Sequence, residues 1–399
     1  MEQFINLKPF KEFVKSGSFG GVILIVCVIV SLIIANSATG PGFEQLLTTE
    51  LGFETARIHL KYSILLWIND GLMAIFFLMV GLEIKRELIE GELSSLKMAA
   101  LPVFAALGGV IAPATIYFLL NKNTETAAGW GIPMATDIAF AIAVITMLGN
   151  KVPPSLKIFL AALAIVDDLM AILVIAVFYS SDLHYTFLLY AAGIFAVLLV
   201  INKLGVKSLA AYLVPGIFIW YFIHHSGVHA TIAGVLTAFA IPTNPVSEES
   251  PLEKLEHMLV NPVNFFIMPL FALVNTNIRF EQEMLAGLTN TLGLGIILGL
   301  VVGKPLGIAL LSWISVKTGI STRPKGAEWA HIIGVGMLGG IGFTMSVFIA
   351  LLSFSGKHLI LSEAKFSILT GSILSGLLGY ITLTMISKRN SENRIRSNN

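Results

Sequence analysis

The sequence predicts an all-α polytopic membrane protein, and three observations support this fold class. Of the 399 residues, 56% are hydrophobic and only 12% are charged, whereas a soluble domain carries about 25% charged residues. The apolar residues form runs long enough for a helix to cross the ~30 Å hydrocarbon layer. The sequence lacks the stretches of about ten alternating apolar and polar residues that a membrane β-barrel requires. Together these features exclude a soluble enzyme.

The charge balance and the cysteine content exclude further classes of protein. Lys and Arg number 25 against 24 Asp and Glu, so the net charge of +1 gives no sign of a nucleic-acid partner. Cys27 is the single cysteine, which leaves neither an intrachain disulfide nor a thiolate metal site.

We interpret the apolar runs as twelve transmembrane helices, because only helices or closed barrels satisfy the backbone in lipid. The seventh and eighth runs are short and flank the sequence His224-His225-Ser226-Gly227. The predicted spans cover residues 17–35, 62–84, 99–120, 126–148, 155–179, 186–202, 209–223, 228–241, 262–278, 290–314, 330–353 and 361–386.

The first run follows Lys8, Lys11 and Lys15 and is short enough to resemble a secretory signal peptide, with small residues near Ala35 and Ala38. Because eleven further runs follow it, we expect the chain to keep this run as a signal anchor.

Loop charges predict the orientation. With the N-terminus in the cytoplasm, eighteen of the 25 basic residues lie inside. Both termini are therefore predicted to be cytoplasmic, which requires an even number of spans. The exceptions are Lys304, within the tenth span, and Arg57, Lys61, Lys122, Arg279, Lys357 and Lys365, in outer loops.

The chain is predicted to form one membrane domain, residues 1–386, followed by a polar cytoplasmic tail, 387–399, which we expect to be disordered. The longest connections are residues 36–61 outside and 242–261 inside. In the inner one, Ser250 and Glu253 flank Pro251 in the pattern of a capping box, which predicts a helix that leads into the ninth span.

Ionisable residues inside the apolar spans indicate a functional site. Asp137, Asp167 and Asp168 are three of only five Asp in the chain, and Lys304 joins them at membrane depth. Each such group costs about 2.5 to 3.5 kcal/mol at mid-membrane. A structural ion pair would account for Lys304 and one Asp but would leave two carboxylates unexplained.

The spacing of the two adjacent acids predicts different surroundings for them. Neighbours on a helix point about 100° apart, so one of Asp167 and Asp168 can pair with Lys304 while the other opens into a cavity with Asp137. Burial and neighbouring charges act in opposite directions on the proton affinity of such a carboxylate. It can therefore exchange a proton for a hard cation such as Na⁺ or Li⁺.

Two spans are interrupted near these charges. The fourth contains Gly129, Gly131 and Pro133 just before Asp137, and the eleventh contains five glycines between 334 and 342. Each is the middle helix of a three-span unit, spans 3–5 and spans 10–12. Paired interruptions are typical of inverted-repeat transporters with a midplane binding site, although kinks that serve packing alone remain an alternative for either span.

Small residues recur every four positions on two other spans. They are Gly295, Gly299, Gly303 and Gly307 on the tenth, beside Lys304, and Gly371, Ser375 and Gly379 on the twelfth. This spacing predicts close helix packing.

Seven motifs in order resemble the NhaA family of bacterial sodium/proton antiporters, over nearly the whole chain. Departures lie in loops, at residues 40–57 and after His257. The motifs are WINDG at 67–71, VGLEIKREL at 80–88, PMATDIAFA at 133–141, AIVDD at 164–168, SGVHATIAG at 226–234, VGKPLG at 302–307 and GIGFTMS at 340–346.

The resemblance implies a fold and an assembly. It implies twelve helices with unwound spans 4 and 11 that cross near mid-membrane. This family is one of the known examples of transporters with inverted repeats and a midplane binding site. It further implies a core of spans 3–5 and 10–12, an interface region of spans 1, 2, 8 and 9, and a homodimer that pairs through a β-hairpin of the first external loop.

The resemblance also implies residue roles. Asp168 would be the principal ligand of the transported Na⁺, with Asp167 and Thr136 contributing or competing. Asp137 would balance charge where the broken helices cross, and Lys304 would pair with Asp167. Asp70, near the predicted external face, is a weaker candidate for the ion path, and a solvated structural Asp is the favoured interpretation.

Regulation by pH would fall to Glu256, His257 and Glu83 on the cytoplasmic side, together with His229. Without the resemblance, residues 248–257, which begin with Glu248 and Glu249, are interpreted as the solvated N-terminus of a helix. His229 alone reads as a buried packing residue.

The buried charges predict a cation/proton exchanger, and the resemblance implies that it is an electrogenic, pH-regulated antiporter of a bacterial inner membrane. It would extrude Na⁺ and Li⁺ in exchange for H⁺ and would need no cofactor. No Walker A motif is present, since Pro305 follows Gly303-Lys304. A passive cation channel and an intramembrane aspartyl protease are the alternatives, but no Asp follows Tyr or Gly as in the protease motifs.

Overall fold

The computed structural model describes residues 18–55, 59–180, 183–243, 250–280, 284 and 287–398. Lys8, Lys11, Lys15, Arg57, Glu248 and Glu249, which entered the predictions above, lie outside these residues.

A helix occupies each of the twelve predicted spans, and the all-α fold is confirmed. Boundaries differ from the predicted ones by a few residues at most ends, and by more at the start of the ninth span and the end of the twelfth. The twelve segments are Ser18–Ala35, Ile64–Ile89, Leu96–Asn121, Ala127–Met147, Pro154–Phe178, Tyr185–Lys203, Ala210–His224, Ile232–Ala240, Pro251–Asn275, Thr291–Lys317, Trp329–Gly339 with Phe343–Ser353, and His358–Asn398.

Eight helices of the described residues are long and apolar enough to cross a membrane, and ten are if each of two bent helix pairs counts as one crossing. One pair is Trp329–Gly339 with Phe343–Ser353, bent by 48°, and the other joins the first span to Gly40–Thr48 at 108°. The seventh and eighth spans have only 15 and 9 helical residues. Crossing of the membrane by these two short helices remains a prediction.

The loop between the first and second spans contains the hairpin that the resemblance implied. Strands β1, Glu50–Glu54, and β2, His59–Ser63, pair antiparallel, with Glu50 opposite Ser63. Lys61 Nζ lies 2.9 Å from a carboxylate oxygen of Glu50 across the ladder. The side chains of β1 are exposed.

The ninth and twelfth spans show how local signals set helix ends. Ser250 Oγ accepts a hydrogen bond from the backbone N–H of Glu253, whose carboxylate accepts one from Ser250 N, so the predicted capping box is confirmed.

The last helix does not stop at the polar tail but continues to Asn398. The expectation of a disordered tail was therefore wrong, since helix propensity continues along it without Gly or Pro.

The tenth span packs closely against the third through its small residues. A Cβ on Gly307 would lie 2.0 Å from the carbonyl oxygen of Gly108, and a Cβ on Gly108 would lie equally close to that of Gly307. Gly303 likewise meets the backbone of Pro113, and Gly295 meets Tyr117 and Asn121. The packing predicted for these glycines is confirmed, and it holds Lys304 at a fixed depth.

This contact predicts that Gly108→Ala destabilises the protein, because the added methyl group collides with backbone that cannot rotate away. The expected loss is about 1 to 3 kcal/mol, seen as a lower midpoint of thermal unfolding in detergent. Gly193→Ala is the matched control, since a Cβ added there would have no atom within 4 Å. Equal midpoints for the two variants would contradict the packing argument.

Candidate functional site

The fourth span is broken where the sequence places its Gly and Pro residues. A 3₁₀ helix, Ala127–Met134, gives way to extended backbone at Ala135, and a helix resumes at Ile138–Met147. Pro133 lacks an N–H and disfavours helical backbone before it. The eleventh span is broken between Gly339 and Phe343.

The two breaks cross each other. The backbone N–H of Asp137 donates to the carbonyl oxygen of Ile341 at 2.6 Å, and Ser346 Oγ donates to the carbonyl oxygen of Ile132 at 2.7 Å. Backbone groups that the breaks release are thus satisfied by the other broken span, which is what makes irregular backbone tolerable at membrane depth.

Asp137 lies between two helix N-termini. Its Oδ1 accepts from Phe140 N at 3.2 Å and so caps the second half of its own span. Its Oδ2 accepts from Thr344 N at 3.1 Å, at the start of Phe343–Ser353, and from the Thr344 hydroxyl. Because helix N-termini carry partial positive charge, this position stabilises a carboxylate.

Asp167 and Lys304 form a fully buried ion pair. Lys304 Nζ contacts Asp167 Oδ2 directly, and both side chains have no exposed surface. Lys304 Nζ also donates to Thr136 Oγ1 at 2.9 Å, and that hydroxyl lies 2.6 Å from Asp167 Oδ2 and 2.8 Å from the carbonyl oxygen of Gly339. The pairing of Lys304 with Asp167, one of the two pairings that the spacing allowed, is therefore present.

Asp168 has no such partner. Its side chain is buried, and Oδ1 makes no hydrogen bond with any described residue. The charges of Asp167, Glu83 and Asp137 act on it, and the positive charge of Lys304 acts on it more weakly. A buried carboxylate without a hydrogen-bond donor is costly, so Asp168 requires a proton or a cation.

Asp168 borders a cavity of about 810 Å³, counting the space at its mouth. The polar side chains in its wall are Glu83, Thr136, Asp137, Asp168, Asn264 and Thr344, and the rest of the wall is apolar. Gly20 and Glu83 lie near the start of the first span and the end of the second, so the cavity opens on the side where the first span begins.

A second group of charges lies on this side. Arg86 Nε donates to Glu256 Oε2 at 3.0 Å, and the side chain of Glu256 is largely buried. Glu83 lies one turn before Arg86, and His257 is near enough to Glu256 for their charges to interact. Glu83, Glu256 and His257 are thus brought to the same end of the molecule.

His229 and Asp70 lie at the opposite end. His229 Nε2 is 2.8 Å from the carbonyl oxygen of Tyr179, just after the fifth span. Asp70 Oδ2 is 3.2 Å from His224 Nδ1, and the two side chains are 19% and 17% exposed. The grouping of His229 with the cytoplasmic residues was therefore wrong, because the turn after the seventh span lies on the hairpin side.

Three partners were not found by sequence reasoning. Thr344 binds Asp137 from 207 residues away, Arg86 binds Glu256 from 170 residues away, and His224 pairs with Asp70. Thr344 and Arg86 stand within the family motifs, which was the only available signal for them.

Comparison with known proteins agrees with this geometry. The family model described as Na⁺/H⁺ antiporter 1 matches residues 11–383. A Na⁺/H⁺ antiporter NhaA 2 of Flavobacterium johnsoniae is 64% identical over 98% of this chain and 96% of its own length. The NhaA antiporters of Flavobacterium psychrophilum and Helicobacter pylori are 51% and 46% identical, each over 95% of this chain and 96% of their own. The chain therefore belongs to the Na⁺/H⁺ antiporter 1 family.

Proposed function

We propose that this protein is a secondary antiporter that exchanges cytoplasmic Na⁺ for external H⁺. The observation that carries the proposal is Asp168, a buried carboxylate whose Oδ1 accepts no hydrogen bond from any described residue, at the wall of a cavity that opens to one side of the molecule. The names of the antiporters that match nearly the whole chain support the same function.

Asp168 is the principal cation ligand in this proposal. Thr136 and Asp167 either contribute oxygen ligands or compete with the cation. The competition arises when Lys304 pairs with Asp167 again and the cation is released. Asp137 balances charge where the two helix N-termini meet. Carboxylate and hydroxyl oxygens suit hard cations, so Li⁺ is a second cargo and no resident cofactor takes part.

Transport follows from competition at Asp168. Facing the cytoplasm, Asp168 and the neighbouring acids release their protons and Asp168 binds Na⁺; facing outward, the same groups take up protons and Na⁺ leaves. Exchange of more than one H⁺ per Na⁺ moves charge inward, and each charge gains about 2.3 kcal/mol per 100 mV of membrane potential. Asp70, paired with His224 near the outer end, is a candidate for the outer part of the ion path.

We further propose the arrangement in the membrane. The loop charges support cytoplasmic termini in a bacterial inner membrane, so the cavity opens to the cytoplasm. Spans 3–5 and 10–12 form the core, and spans 1, 2, 8 and 9 form the interface region. The exposed hairpin of β1 and β2 is suited to pair with a second copy in a homodimer.

Regulation by pH is proposed for Glu83, Glu256 and His257 at the cavity side. The contact between Arg86 and Glu256 joins the second and ninth spans there, so protonation of Glu256 would loosen that contact. His229 contributes from the opposite side, through its contact with the end of the fifth span.

Asp168→Asn tests the function directly. In everted vesicles with an imposed proton gradient, added NaCl collapses the gradient when the native protein is present. The amide binds neither a proton nor Na⁺ with charge compensation, so this collapse is expected to fall to the background of membranes without the protein.

Glu92→Gln is the control, because Glu92 is exposed and remote from the cavity. Full activity of Asp168→Asn would overturn the proposal. Peptide cleavage would instead support the protease, and a sodium current independent of protons would support the channel.

The buried ion pair predicts a non-additive effect on stability. Lys304→Gln and Asp167→Asn each leave one buried charge unpaired, at a cost of about 3 to 5 kcal/mol. The double variant removes both charges and should unfold at a higher temperature than either single variant. The midpoint of thermal unfolding in detergent measures this effect. If the midpoint of the double variant falls by the sum of the losses in the two single variants, direct coupling between Lys304 and Asp167 is excluded.

Arg86→Gln should move the pH dependence of transport toward alkaline values by about one unit. Without the guanidinium, Glu256 and Glu83 hold their protons to higher pH. If transport requires them ionised, activation is delayed as the pH rises.

Sodium-dependent exchange at a series of pH values measures this shift. Lys97→Gln, which removes an exposed cation, is the control. An unchanged or acid-shifted profile of Arg86→Gln would argue against regulation at this cluster.

A further inference from the structure

The ninth span contributes one polar side chain to the cavity, Asn264, for which the mechanism above has no use. Three uncharged polar side chains line this cavity, and two are already bonded. Thr136 contacts Asp167 and Gly339, and Thr344 donates to Asp137. Within the described part of the chain, the carboxamide of Asn264 makes no hydrogen bond.

Local backbone geometry presents this side chain to the cavity. Residues Val263–Ile267 form a π-helical stretch within the ninth span, and single π-helical turns inside α-helices frequently occur at functional sites. Another π-helical stretch of the described chain, Gly299–Gly303, directly precedes Lys304 of the buried ion pair.

The opposite wall leaves room for the amide. Gly20 of the first span faces Asn264, and even a Cβ on Gly20 would stay 3.7 Å from Asn264 Cβ. Asn264 is half-buried, so its amide remains reachable from the cavity. An unbonded amide in this position can bind a ligand.

We propose that Asn264 is a further ligand of the transported cation, which it binds through its carboxamide oxygen, directly or through a hydration water, before the cation reaches Asp168. The inference rests on the proposed antiport function. A carboxamide oxygen is a neutral, hard ligand of the kind that suits such cations.

The neutrality of the amide distinguishes its role from that of the acids. Asn264 cannot take up a proton in the physiological range, so it strengthens cation binding without joining the competition with H⁺. It also lies on the ninth span, opposite the fourth and fifth spans that carry Asp137 and Asp168. A cation in the cavity is thus held between the two sides of the molecule.

The test is the KM for Na⁺ in everted vesicles, which expose the cytoplasmic side. Asn264→Ala and the near-isosteric Asn264→Leu should raise KM about three- to tenfold. This is the change in affinity expected from the loss of one neutral polar contact. The maximal rate at saturating Na⁺ and the pH midpoint at saturating Na⁺ should stay unchanged. Asn264→Asp restores an oxygen ligand and should lower KM again at alkaline pH.

Asn261→Ala is the matched control, because Asn261 is an exposed residue of the same helix outside the cavity wall. A KM within twofold of the native value in both Asn264 variants would overturn the inference, as would a loss of maximal rate at unchanged KM. If the native protein itself shows no sodium-dependent exchange, the proposed function fails instead.

Discussion

Three carboxylates and one ammonium lie buried at membrane depth, and the cost of burying each charge must be offset. Asp167 is compensated by Lys304, and Asp137 by the N-termini of two half-helices. Asp168 has neither. An ionised carboxylate at this depth is too costly to remain bare, so Asp168 is the one acid of the three that must take its positive charge from outside the protein. Because Lys304 and the helix N-termini compensate the other two acids, only Asp168 needs a proton or a cation.

The broken helices follow from the same requirement. An unbroken helix offers no free N–H groups in the middle of the membrane, whereas a break exposes the first N–H groups of a new helix. Asp137 accepts hydrogen bonds from N–H groups of two such helix starts, those of Ile138–Met147 and Phe343–Ser353. The freed carbonyl groups are used as well, since Ile132, Gly339 and Ile341 accept hydrogen bonds from the opposite broken span or from Thr136. Charge compensation and backbone satisfaction are achieved by one crossing.

Much of this could be predicted from the sequence, because the strongest signals are local. Apolar length predicted the spans, and the 100° offset predicted different surroundings for Asp167 and Asp168. Helical spacing could not decide which of the two meets Lys304, since that depends on how the fifth and tenth spans rotate against each other. The bond between Thr344 and Asp137 and the pair of Arg86 with Glu256 join distant parts of the chain. The predicted spans already placed His229, at the start of the eighth span, on the side opposite Glu256, so the error came from the grouping that the resemblance implied.

In the proposed mechanism, the uncompensated charge of Asp168 also explains how exchange is kept coupled. To move from one side to the other, the cavity must close over Asp168 and remove the water that solvates it. With a proton or Na⁺ bound, the carboxylate is neutralised and closure costs little. With neither, closure buries a bare charge at a cost of about 2.5 to 3.5 kcal/mol or more, which slows the empty transporter by roughly a hundredfold. Strict exchange therefore needs no separate gate that senses the cargo, because the desolvation of one carboxylate penalises the unloaded form.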